Sequence, residues 1–125
     1  MTKEPVATLT MFDVDCSDPA RLAQFYSAVL GWEVTYSEGD YSMIGNGSTS
    51  IGFGKVEGYT PPSWPDADGL KRYHLDLQVD DIAKAANECE ALGARTAGFQ
   101  PGGDRWRVML DPNGHPFCLC RKAAG

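Results

Sequence analysis

The sequence predicts an α+β fold built from two βαβββ repeats, which form a curved mixed sheet, a trough or half-barrel, with helices outside. Three observations carry that expectation. The chain repeats itself: MFDVDCSDPARLAQFYSAVLGW, from Met11, runs alongside HLDLQVDDIAKAANECEALGA, from His74, at an offset of about 63 residues. Each copy opens with the period-two alternation of a strand, then passes at Asp18 or Asp81 into a helical period that ends at Leu-Gly. Each helix is followed by three short strand-like runs separated by Gly, Asn, Asp and Pro. The expected organisation is a single domain over 1–125, with one repeat over 6–57, a linker over 58–70 and the second repeat over 71–121. Two such units can join their sheets around a cavity.

In the first strand Phe12, Val14 and Cys16 share the face that should pack on the helix, and Met11, Asp13 and Asp15 share the other. Ser17 or Asp18 can cap the first helix, and Pro19 suits its first turn, where a missing N–H costs nothing. Leu22, Phe25, Tyr26 and Val29 then fall on one helical face, and Gly31 ends it. Strands are expected over 33–37, 41–46 and 50–56.

The segment GYTPPSWPDADG follows, whose prolines forbid regular structure; it reads as a linker or a flap. Beyond it Leu75, Leu77 and Val79 should pack, with His74, Asp76 and Gln78 on the opposite face. Asp80 or Asp81 starts the second helix. Ile82, Ala85, Ala86, Cys89 and Leu92 form its apolar stripe, and Gly93 stops it. The last strands are expected over 94–98, 105–110 and 116–121. Pro101-Gly102-Gly103-Asp104 lacks the helix and lysine of a phosphate loop, so it reads as a hairpin turn. Asn113-Gly114 supplies the positive φ angles of the final turn, with His115 exposed beside it.

The final strand puts Phe117 and Leu119 on one face and Cys118 and Cys120 on the other. The two thiols lie too close along one strand to pair comfortably, and the default reading is four reduced cysteines. They serve as small hydrophobes in a wall. Two alternatives stay open. Cys118 could be a thiolate if His74 or Arg105 lowers its pKa, or His74, Cys118 and Cys120 could hold Zn.

The net charge of −6 argues against a nucleic-acid binder. No apolar run is long enough to cross a bilayer, and the first residues lack a signal-peptide core, so no membrane partner and a cytoplasmic location are expected. Walker, dinucleotide, HExxH and paired CxxC motifs are absent from the sequence.

The doubled pattern, with the phrases HLDLQVDDIAKAANECEALGA and GGDRWRVMLDPNGHPFCL, resembles the vicinal oxygen chelate superfamily of glyoxalases, bleomycin-resistance proteins and extradiol dioxygenases. The chain is most similar to its small single-domain glyoxalase-like members. The resemblance implies one divalent metal, held by a His or Gln on the first strand, a His opening the second half and a Glu on the last strand. His74 matches its position, Met11 stands in the first and Cys118 in the third. No metal or other cofactor is therefore expected; His74 and Cys118 are its ligands if one divalent metal does bind.

The function so implied is binding of a small organic molecule, aromatic or amphipathic, as in bleomycin resistance. Expected contacts in the first half are Met11, Asp13, Trp32 and Phe53. In the second half they are Trp64 as a flap, His74, Asp76, Gln78, Trp106 and Cys118. The alternative is a metal-dependent lyase, isomerase or dioxygenase using His74, the metal polarising substrate oxygens. Acid–base catalysis by His74 and Asp76 needs no metal. A third reading is a partner-binding module without a small ligand. Members of the superfamily commonly pair, so a homodimer is expected.

Overall fold

The computed structural model describes residues 5, 7–62, 64 and 74–121 of the 125-residue chain. Among these the fold is α+β, two helices with two open four-stranded mixed sheets. The chain divides into two compact units, Met1–Glu57 and Gly58–Gly125.

The first unit comprises β1 (Met11–Cys16), α1 (Pro19–Leu30), β2 (Glu33–Glu38), β3 (Tyr41–Gly45) and β4 (Ser50–Lys55). The second comprises β5 (Leu75–Val79), α2 (Ile82–Ala91), β6 (Arg95–Thr96), β7 (Trp106–Leu110) and β8 (Pro116–Arg121). The sheet orders are β1-β4-β3-β2 and β5-β8-β7-β6. In each, the strand before the helix pairs parallel with the last strand, and the remaining pairs are antiparallel.

The helices start where their aspartates dictate. The Asp18 carboxylate accepts the Arg21 N–H at 3.2 Å, and the Asp81 carboxylate accepts the Lys84 N–H at 3.1 Å. These bonds select Asp18 over Ser17 and Asp81 over Asp80. Gly31 caps α1 with φ 71°, its N–H reaching the Ser27 carbonyl at 2.8 Å. The end of α2 departs from expectation. Leu92 is the cap, in right-handed geometry, and Gly93 takes the positive φ of 116° one residue later. Leu92 is thereby turned out to 39% exposure, leaving Ala86 and Cys89 as the buried positions of the stripe.

The first core packs Leu22, Ala23, Phe25 and Tyr26 of α1 with Cys16, Ile44, Ile51 and Phe53 of the sheet. Tyr26 stacks on Phe53 with ring centroids 5.7 Å apart. The second buries Met109, Phe117 and Leu119 on β7 and β8, the two long strands that α2 meets.

Strand β6 is shorter than the 94–98 expected: past Thr96 the Ala97 N–H still reaches the Val108 carbonyl at 3.1 Å, but the return bond of the ladder is made by a side chain. The Gln100 amide donates to the Ala97 and Val108 carbonyls at 2.7 and 2.9 Å, while its oxygen accepts the Val108 N–H at 2.8 Å. In the turn before β8, the buried Asp111 carboxylate accepts the N–H groups of Asn113 and His115 at 2.8 and 3.0 Å. Gly114 supplies φ 87°. His115 is half-buried rather than exposed, its Nδ1 2.9 Å from the Pro116 carbonyl oxygen. Of the expected linker, 58–62 and 64 are described; the rest of that expectation lies outside the described residues. No described helix is long and apolar enough to cross a membrane.

Candidate functional site

Residues directly opposed across a sheet share a face, so the registers define the surface that faces away from each helix. In the second unit β8 lies between β5 and β7. Cys118 is opposite Asp76 on one side and Val108 on the other, and Cys120 is opposite Gln78 and Trp106. His74 precedes Asp76 by two residues and falls on its side of the strand. The imidazole Nε2 is 3.2 Å from Asp76 Oδ1. One ligand atom from each of His74, Asp76 and Cys118 lies within 4.8 Å of the others. The three differ in burial: the side chains of Asp76 and His74 are 63% and 18% exposed, whereas Cys118 is buried.

Beside this cluster the face turns apolar. Ala97, Val108 and Cys118 form a buried floor, and Trp64, Trp106, Leu110 and Cys120 pack against it. Trp64 comes from the connecting segment. Its Nε1–H donates to the Phe99 carbonyl at 3.0 Å, and its ring lies 6.0 Å from that of Phe99. Pro61 rests on the final turn, 3.0 Å from where a Cβ on Gly114 would stand. Gly102 lies so close to the Trp106 indole that a Cβ there would overlap it. The Arg105 guanidinium is 5.3 Å from the indole centroid, within cation–π range.

The same registers in the first unit place Gly52 opposite Asp13 and Met43, and Gly54 opposite Asp15 and Tyr41. The Tyr41 hydroxyl donates to Asp13 Oδ1 at 2.9 Å, crossing β4 at Gly52. A Cβ at Gly52 would collide with both the hydroxyl and the carboxylate. Desolvation, then the bond to Asp13 and its negative charge, push the Tyr41 phenol above its ordinary value.

The expected site residues therefore separate. Trp64, His74, Asp76, Gln78, Trp106 and Cys118 come together on or against one face of the second sheet. Met11 is half-buried opposite Ser50, and Asp13 is bonded to Tyr41. Trp32 is half-buried after α1, where its carbonyl accepts the Ser27 hydroxyl at 2.6 Å. Phe53 points the other way; fully buried and stacked on Tyr26, it belongs to the core and not to the Asp13 face. Two features escaped the sequence reading. Asp76 is a third donor beside His74 and Cys118, and the Tyr41–Asp13 bond depends on Gly52. The first was signalled by His-x-Asp on a strand. The second needed the register, because Asp13 and Tyr41 are 28 residues apart.

The donor set also decides which metal suits it. One imidazole, one carboxylate and one thiol fit an ion of Zn type. Mg and Mn favour sites richer in oxygen.

Comparison with known proteins agrees with this architecture. A family model described as a glyoxalase-like domain matches residues 11–120. A glyoxalase/bleomycin resistance protein/dioxygenase family enzyme from Burkholderia phytofirmans has a similar structure, with TM-score 0.67 and 21% identity, covering 92% of this chain and 98% of that one. A glyoxalase family protein from Enterococcus faecalis gives TM-score 0.65 and 22% identity, again covering 92% and 98%. The fosfomycin resistance protein FosX of Listeria monocytogenes gives TM-score 0.69 and 14% identity over 95% and 96%. At these identities the likeness is one of fold. A curated relative, morphogenesis protein 1 of Bacillus phage B103, is 41% identical over 54 residues, covering 40% of this chain. This chain spans only 14% of that protein's length. The family match over nearly the whole chain and the doubled βαβββ order lead to one assignment: the chain belongs to the glyoxalase-like domain family of the vicinal oxygen chelate superfamily.

Proposed function

We propose that this protein binds a small aromatic or amphipathic organic molecule on the second sheet's outer face. The observation that supports this is the meeting, on one face, of an apolar floor, two half-buried indoles and a polar pair. Val108 and Cys118 form the floor, Trp64 and Trp106 rise beside it, and His74 with Asp76 stand at one side. Ligand sites combine such walls with a few placed polar groups. The indoles would stack on the ligand's apolar body, and His74 and Asp76 would orient its polar end. A drug-resistance-like role, sequestration without turnover, follows from that division of labour.

The test is a thermal-shift and tryptophan-fluorescence screen with aromatic and amphipathic natural products. A true ligand at a hundred times its Kd stabilises by about 2.7 kcal/mol. Trp106→Ala should remove that shift, and His74→Ala should weaken it. A broad panel that shifts nothing at concentrations far above micromolar overturns the proposal.

A second reading is favoured by the convergence of His74, Asp76 and Cys118 within 4.8 Å. It makes the protein a divalent-metal-dependent lyase, isomerase or dioxygenase, and metal binding lost in His74→Ala is its first requirement. Either reading includes a homodimer, since β2 is an edge strand whose residues are all exposed. A monomer in light scattering at high micromolar concentration would remove that part.

A further inference from the structure

We propose that the molecule bound on the second sheet's outer face is an organic anion, and that Arg105 selects it by pairing with its acid group while the apolar body rests against Trp106. This rests on the ligand-binding reading above and adds to it the charge of the ligand and the residue that reads that charge.

The placing of the cations is the first argument. The chain carries a net charge of −6. By register, the outer face of the first sheet presents Asp13, Asp15, Glu33 and Glu38, and no Lys or Arg among the described strand residues. The described strand residues on the outer face of the second sheet include one carboxylate, Asp76, and one arginine, Arg95, opposite Leu110. Arg105 adds a cation at the Trp106 end, its guanidinium 5.3 Å from the indole centroid. In an acidic protein, the face with the indoles and the apolar floor is therefore the one that also gathers positive charge. An acid group is attracted there and repelled by the carboxylates of the first sheet's outer face.

The state of Arg105 is the second. Its backbone is tied on both sides: its N–H donates to the Gly102 carbonyl at 3.1 Å, and its carbonyl accepts the Arg121 N–H at 3.2 Å. Among the described residues no carboxylate pairs with its side chain, and Asp104, the preceding residue, is exposed and forms no ion pair with it. The guanidinium donors lie in the plane of the group, so contact with an indole leaves them available to a carboxylate, sulfonate or phosphate, which they can hold by two bonds at once. The indole is itself confined by Gly102, where a Cβ would overlap it, so the cation stands beside a ring that the turn holds in place. Arg95 cannot share the task. Its partner Leu110 is four residues from Trp106 along β7, about 13 Å at the rise of a strand, beyond the screening length of about 8 Å at physiological salt.

Two fluorescent probes that differ only in an acid group test the assignment: 8-anilinonaphthalene-1-sulfonate and the neutral N-phenyl-1-naphthylamine. Both are titrated into the wild-type chain and into Arg105→Gln, Arg105→Lys, Arg95→Gln and Trp106→Ala, with circular dichroism to verify each fold. Arg105→Gln should weaken sulfonate binding about three- to tenfold and leave the neutral probe within about twofold. Arg105→Lys should keep part of that difference and Arg95→Gln all of it, and added salt should shrink it. Trp106→Ala should weaken both probes. Equal weakening of the two probes in Arg105→Gln, no weakening of either, or the same loss in Arg95→Gln overturns the inference and leaves the binding face standing. So does Trp106-dependent binding of the neutral probe alone. Binding of neither probe to the wild-type chain, or binding of both that Trp106→Ala does not touch, tells against the ligand face itself and takes this inference with it.

Discussion

The two units share one frame and differ on one face. On the helix-facing side, Ile44, Ile51 and Phe53 of the first sheet correspond by register to Met109, Phe117 and Leu119 of the second, all at most 6% exposed. On the outer side the pairs diverge in chemistry. Asp13 corresponds to Asp76, Gly52 to Cys118, Gly54 to Cys120 and Tyr41 to Trp106. The first unit has used glycine to let a phenol reach a carboxylate across β4. The second has filled the same position with a thiol beside an imidazole–carboxylate pair. The helix-facing surface is thus alike in the two units, while the other surface carries a different chemistry in each.

The largest test of that equivalence concerns the core. Phe53→Ala should cost about 3–5 kcal/mol and Leu119→Ala about 2–5 kcal/mol, measured as the fall in urea-unfolding stability. A cost under about 1 kcal/mol at either position would break the equivalence of the two helix-facing sides. The outer faces should respond unequally. Gly52→Ala drives a methyl into Tyr41 and Asp13, and overpacking of this kind costs about 1–3 kcal/mol. Cys118→Ala, the matching change, only removes a sulfur from the floor, and its cost should be smaller in the same urea experiment. Equal costs would mean that Gly52 is not what admits the Tyr41–Asp13 bond.

The helix starts should behave alike. Asp18→Ala and Asp81→Ala each remove one carboxylate-to-N–H cap and should each cost about 1 kcal/mol by urea unfolding. A difference of more than about 1 kcal/mol between them would show that one cap does more than close a helix end.

These elements were also the legible ones. Asp18, Asp81, Gly31 and the strand alternation are local signals, and local signals fix helix ends and strand faces. What the sequence hid was non-local. At the end of β6 the Gln100 amide reaches Val108 and takes the place of one ladder bond, and no periodicity announces that. Phe53 alternates like a trough residue until the register assigns its face. At the site, His74 and Cys118 were found by position. The place of Asp76 beside Cys118 depended on which residue of β8 it opposes, and pairing between strands 42 residues apart is set by the fold as a whole.

The smallest effect separates the two halves by pH. The raised pKa of Tyr41 favours its neutral form in the folded state, with desolvation as the main cause and Asp13 as the second. The stability it contributes is therefore complete below the ordinary value of 10.0 and fades as pH climbs through the raised one. Tyr41→Phe should flatten the alkaline end of the stability profile, whereas Trp106→Phe, at the matching position, changes no titrating group. Ultraviolet titration of tyrosinate reads the same event directly, since a late-ionising component should be lost in Tyr41→Phe. Asp13→Asn removes the negative charge and should return Tyr41 part of the way to its ordinary value, because desolvation persists. If Asp13→Asn left the late transition unmoved, burial alone would hold the phenol. The outer face of the first unit would then be a packed surface and not a coupled acid pair.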